Sequence, residues 1–115
     1  MRALNFYSSN YHGHLLGRRK TCTIRLGDKT NKYTEGDVIW ITIGDRFSPR
    51  KKVFTAVLDK VEYKKAADLT EDEVHGESPD FKGKADLIAC LTEIYGQEIS
   101  NDTGVTVICF SEVIE

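Results

Sequence analysis

Apolar and polar positions alternate with two different periods along this 115-residue chain, and each change of period marks a new element. Residues 3–6 form a short apolar segment suited to open a sheet. Tyr7, Tyr11 and Leu15 then recur every four residues, with Ser8 or Ser9 available as an N-cap and Gly17 placed to end the helix. Residues 21–26 are β-branched and alternating, which predicts a strand. A polar, turn-rich stretch ends in Glu35-Gly36-Asp37. A second strand follows at 38–43, whose Trp40 and neighbours are apolar on both faces, so a central, buried position is expected for Trp40.

Residues 44–49 read as a loop, and 52–63 as a long strand bent partway, with Val53, Val57 and Val61 on one face and Phe54, Ala56 and Leu58 on the other. In Leu69-Thr-Glu-Asp-Glu73, Thr70 and Glu73 have capping-box spacing for a short helix. The segment His75-Gly-Glu-Ser-Pro79 is expected to break that helix, with Ser78 extended because proline follows. Residues 84–95 place Leu87, Ile88, Leu91 and Ile94 on one helical stripe, which Gly96 stops. A closing strand covers 105–110. Five or six strands with three short helices and no regular βαβ alternation predict one α+β domain over residues 1–115. Its sheet is expected to bend or close into a small barrel that hides its edges.

Composition changes this picture little: 40% hydrophobic and 30% charged residues are ordinary for a soluble globular domain. No apolar run reaches the roughly 20 residues of a membrane helix, and no secretion signal is read at the start. Cys22, Cys90 and Cys109 are odd in number and widely spaced, which suggests buried thiols in a cytoplasmic protein and no disulfide framework. His12, His14 and His75 form no ligand pattern with the cysteines, so neither metal nor cofactor is expected. The net charge of −2 hides an asymmetry. Residues 18–52 carry ten Lys/Arg against four Asp/Glu, while 66–115 carry two Lys against twelve Asp/Glu. A basic face on an acidic protein would suit a nucleotide or RNA, although solvated surface charge of both signs gives the same count.

Candidate chemistry concentrates at the turn Gly17-Arg-Arg-Lys-Thr-Cys-Thr-Ile-Arg25. A desolvated Lys20 beside other cations can act as a base, and an exposed Lys20 would be one more cation. The Thr23 hydroxyl is a nucleophile only if a base reaches it; otherwise it is a strand former. Strict alternation puts Lys20 and Thr23 on opposite faces, so they meet only if Lys20 still belongs to the turn. Glu77, near Pro79, suits a proton donor held in a pocket, with Glu73 as the competing acid. Arg25 can clamp a carbonyl or carboxylate, or pair structurally with Glu77 or Asp37. Tyr33 and Phe47, in loops, are candidates to stack on a base.

These residues resemble the ASCH superfamily, whose fold is PUA-like and whose signature is G-x-K-x-x-E-x-R. Lys20 and Arg25 are in register; Thr23 stands where the signature has Glu, and Arg18 replaces its glycine, with Gly17 one residue early. The departures resemble a branch of small bacterial N4-acetylcytidine amidohydrolases carrying K-T-x-T-I-R, which Lys20, Thr21, Thr23, Ile24 and Arg25 match. Leu69-Thr-Glu71 is similar to the branch's helix start, and the Glu eight residues after that Leu aligns with Glu77. The resemblance implies hydrolysis of an N4-acylated cytidine, a small modified nucleoside. In it Lys20 is the base, Thr23 the nucleophile and Glu77 the acid; in a variant, Lys20 and Glu77 activate water that Thr23 positions. A non-catalytic RNA-binding module of the same fold is the competing expectation. A weaker option is a nuclease that uses the Lys20, Thr23 and Arg25 cluster on phosphodiesters, which no metal-binding carboxylate constellation supports.

Overall fold

A computed structural model describes residues 2–6, 12–45 and 49–114. Five strands form one sheet in the order β1-β3-β4-β5-β2: β1 (Ala3–Phe6), β2 (Cys22–Leu26), β3 (Val38–Ile43), β4 (Lys51–Lys65) and β5 (Gly104–Glu112). Only β1 and β3 run parallel; the other pairs are antiparallel. Register shifts at Ile41/Thr42 and at Leu58/Lys60 bend the long β4, as bulges do. The sheet therefore curls, and its two edge strands approach each other: Arg25 of β2 donates from Nη2 to the Asn5 carbonyl of β1 at 3.1 Å. The expected α+β domain with a strongly bent sheet is observed, the curl forming a half-barrel of five strands among the described residues.

Three α-helices pack around it: α1 (His12–Leu16), α2 (Glu71–Glu77) and α3 (Lys84–Tyr95). The capping box forms, since Thr70 Oγ1 accepts from the Glu73 amide and Glu73 Oε1 accepts from the Thr70 amide. Gly96 ends α3 in the left-handed region at φ 65°, which glycine adopts without steric cost. One core lies inside the curl, around Leu4, Phe6, Ile39, Ile41, Phe54 and Phe110. A second joins β2 and β5 to the helices through Ile24, Val74, Leu87, Leu91, Val105 and Val107. The expected N-cap at Ser8 or Ser9 lies outside the described residues.

Three expectations are corrected. Trp40 is 41% exposed, because β3 turns Ile39 and Ile41 into the core and Val38 and Trp40 outward, with Lys52 over the indole at 5.3 Å. Tyr33, expected in a loop to stack on a base, is packed into the first core with its hydroxyl on the Ala3 carbonyl. Cys22 and Cys109 are joined as a disulfide. They are 87 residues apart, so spacing is silent about them, but the antiparallel register of β2 and β5 sets them directly opposite.

Candidate active site

The path of the chain after α1 places Lys20. The helix ends at Leu16, and the left-handed residue is Arg18 rather than Gly17, at φ 59°. A non-glycine there costs roughly 1–2 kcal/mol. It is held by the Arg18 guanidinium, which takes Glu112 on two nitrogens (2.9 and 3.2 Å), bonds the carbonyls of Leu15 and Leu16, and lies 4.3 Å from the centre of the Phe54 ring. The turn then folds back, and the amides of Arg19 and Lys20 both donate to the His14 carbonyl. The strand starts only at Cys22, so Lys20 is released from strand alternation.

Lys20 and Glu77 are each 1% exposed and form an ion pair. The Lys20 amine donates to Glu77 Oε2 and, at 2.8 Å, to the Glu77 carbonyl. Burial pushes the amine below its ordinary value of 10.5. The charge and hydrogen bond of Glu77 oppose that shift, the Arg25 charge adds to it, and Cys90 acts weakly against it. A desolvated amine that gives up its proton more easily is what a base needs at neutral pH.

Glu77 is not in the expected irregular segment; it is the last residue of α2, and Ser78 leaves the helix extended at φ −156°. Glu73, Gly76 and Glu77 share the face of α2 that lies on the sheet, being three and four residues apart. Glu73 bonds Lys60 and Lys64 of β4, while Glu77 bonds Lys20. Between them Gly76 comes so close to β2 that an added Cβ would stand 2.7 Å from Cys22 Sγ. Its carbonyl accepts the Thr21 amide at 2.9 Å. The two candidate acids are thereby separated. Burial raises the Glu73 carboxyl, but hydrogen bonds from Lys60, the Thr70 amide and Lys64 outweigh it and hold it down at about 2. Glu73 is a fixed anion, and Glu77 is the carboxylate on the amine.

Thr23, 2% exposed, accepts from Arg25 Nε at 3.0 Å, so its oxygen sits against a permanent cation. Arg25 also holds the Asn5 carbonyl, and pairs with neither Glu77 nor Asp37. The buried Phe6 ring joins the two halves of the site, with Lys20 Nζ 5.4 Å and Arg25 Cζ 4.9 Å from its centre. Amine, acid, hydroxyl and guanidinium thus gather as two bonded pairs about one aromatic ring. Phe6, Asn5 and Gly76 are the residues sequence reasoning missed. A conventional strand pattern hid the first two, and only the close approach of α2 reveals the third. Phe47 lies outside the described residues. Hollows beside Tyr63 and Asp102, and between Val74, His75 and Gly83, touch none of the four groups.

No protein-family model matches this chain, and no curated protein sequence does. Solved structures do match it. An ASCH domain from Lactobacillus crispatus JV V101 is similar with a TM-score of 0.69 at 14% identity, over 96% of this chain and 78% of its own. Protein EF3133 from Enterococcus faecalis V583, a DUF984 protein, gives 0.64 at 16%, over 98% and 80%. Hypothetical protein PH0355 gives 0.68 at 16%, over 98% and 100%. At such identities the likeness is one of fold, and the fold is ASCH-like. Among the described residues no helix is long and apolar enough to cross a membrane.

Proposed function

We propose that this protein is a cytoplasmic amidohydrolase that releases cytidine and acetate from N4-acetylcytidine without a cofactor. The observation that carries the reading is the buried Lys20–Glu77 pair set beside the Thr23–Arg25 pair. Passing one proton from the Lys20 ammonium to the Glu77 carboxylate yields a neutral amine and a carboxylic acid in a single step. Both are forms that an amide hydrolase needs, and burial of the Lys20 amine favours the loss of its proton.

The amine then takes the Thr23 proton, and the oxygen attacks the acetyl carbonyl. Arg25, already bonded to that oxygen, stabilises its developing negative charge. The tetrahedral intermediate collapses as Glu77 delivers its proton to N4, and cytidine leaves. The Lys20 ammonium then hands its proton to the Glu77 carboxylate again, and the regenerated amine takes a proton from water as that water attacks the acyl-threonine. Glu77 protonates the departing threonine oxygen, and acetic acid leaves and ionises to acetate. The same four groups serve the variant in which water attacks directly and Thr23 orients it.

The RNA-binding alternative draws on the basic stretch 18–52. Of its cations, Lys20 is buried on Glu77 and Arg25 is held by Thr23 and the Asn5 carbonyl, while the exposed Arg18 and Arg19 bond Glu112, and His14 with the Gly13 carbonyl, at the surface. Incubation with N4-acetylcytidine, followed by its ultraviolet spectrum and by assay of acetate, tests the reading. Conversion to cytidine that added salt hardly changes supports it. No conversion, with RNA binding that falls steeply with salt, supports the alternative.

A further inference from the structure

The disulfide lies directly beneath α2, between the helix's two ion pairs, and nothing in the reaction above uses it. Cys22 is two residues from Lys20 and next to Thr23, and its sulfur packs on Gly76, the neighbour of Glu77. Cys109 is half-buried, and in the register it lies between Cys22 on one side and Lys60 on the other. Lys60 is a Glu73 partner. Edge strand β2 has β5 as its ladder partner, so this bond is the covalent tie of the strand that carries Thr23 and Arg25.

We infer that the Cys22–Cys109 pair is a thiol–disulfide modification site that sets the geometry of Lys20 and Glu77, opened by small dithiols and closed by small disulfides. This rests on the hydrolase reading for its consequence, but not for its chemistry. A reductant thiolate attacks the half-buried Cys109 sulfur and forms a mixed disulfide, with Cys22 leaving as thiolate and taking a proton. The reductant's second thiol then displaces Cys109, and the reductant leaves as a cyclic disulfide. Two electrons and two protons pass from the dithiol to the protein, whose disulfide is reduced to two thiols as the dithiol is oxidised to its cyclic disulfide. The reverse exchange with a small disulfide closes the pair.

Opening the bond matters because of what surrounds it. Two thiol sulfurs in van der Waals contact stand roughly 1.5 Å farther apart than bonded ones. The Cys22 and Cys109 Cα atoms are 4.0 Å apart, which leaves little room between the strands. Towards the helix, Cys22 meets Gly76, whose carbonyl is tied to Thr21. The added bulk is therefore passed to the end of α2, where Glu77 holds the amine, or to the edge strand that carries Thr23. A displacement of about 1 Å at reacting groups costs up to about a hundredfold in rate.

The test uses the full chain in two forms, oxidised with a small disulfide or reduced with a small dithiol, with free thiols counted by alkylation and mass spectrometry. Turnover of N4-acetylcytidine is expected to fall about tenfold or more on reduction and to recover on reoxidation. The Cys22→Ser/Cys109→Ser variant is expected to behave as the reduced form in either buffer. Amide hydrogen exchange over residues 21–25 and 71–78 is expected to speed up on reduction, and this readout needs no substrate. If neither form turns over substrate while exchange responds, the hydrolase reading fails and the redox site stands. The redox site is overturned by three free thiols after oxidation, or by turnover and exchange that are the same in both forms.

Discussion

Lys20 and Glu77 are joined twice, the amine bonding both the side-chain carboxylate and the main-chain carbonyl at the end of α2, and both residues are buried. Removing one partner of such a pair strands a charge in the interior, at a cost of about 3–5 kcal/mol. Lys20→Met should therefore lower stability by about that amount in urea denaturation, and Lys20→Met/Glu77→Leu should recover most of it. Both variants should be inactive. A double variant no more stable than the single one would contradict the buried-pair account.

Glu77→Gln should be milder for stability, because the desolvated Lys20 can shed its proton once its counter-ion is gone. Its activity should nevertheless fall by about a hundredfold or more, the usual range for losing a positioned acid. Denaturation midpoint and kcat, measured on the same sample, separate the two effects. A loss of both in proportion would make Glu77 structural only.

Thr23→Val keeps the shape of the side chain and leaves Arg25 Nε without its acceptor. A stability loss of about 1–3 kcal/mol is expected from the unpaired donor. If the threonine oxygen is the nucleophile, Thr23→Ser keeps measurable turnover while Thr23→Val has none above background. If water attacks, Thr23→Val retains a reduced rate. Acyl-enzyme trapping followed by mass spectrometry distinguishes the routes directly.

Much of this arrangement was legible in the order of residues, and what was not has identifiable causes. The strands, the Thr70–Glu73 capping box and the Gly96 stop are local signals, and they appear where local chemistry puts them. That Lys20 escapes strand alternation follows from the turn after α1, which the sequence marks with Gly17 but builds with Arg18. Trp40 departs from the expected buried position because a run of apolar residues does not say which face of a curled sheet meets solvent. Tyr33 departs from expectation for the converse reason, since a residue in a loop can still turn its ring into the core. The Cys22–Cys109 and Arg25–Asn5 contacts join strands distant in sequence, and register and curl alone create them.

Acid should report on Glu73. Its folded carboxyl, held at about 2, lies below its ordinary 4.5, so its stabilisation is complete above 4.5 and is lost as pH falls from there towards 2. Allowing for the partial exposure of Lys60, the loss should be about 1–3 kcal/mol. Glu73→Gln, which keeps an oxygen for the Thr70 amide, should flatten the stability curve over that interval. An unchanged acid slope in the variant would show that Glu73 is not held down.

The exposed Trp40 gives a simple check on the sheet. Trp40→Ala should cost well under the ~3–5 kcal/mol of a core aromatic. Tryptophan fluorescence of the folded protein should lie near that of an indole in water. A blue-shifted spectrum, or a core-sized loss of stability, would contradict the outward turn of β3.

The sharpest single measurement is kcat/KM for N4-acetylcytidine on oxidised wild-type protein and on Glu77→Gln, run side by side with folding confirmed. The account predicts stoichiometric cytidine and acetate from wild type and a rate lower by about a hundredfold or more in the variant. Equal rates in the two proteins, or no cytidine from either, would contradict it.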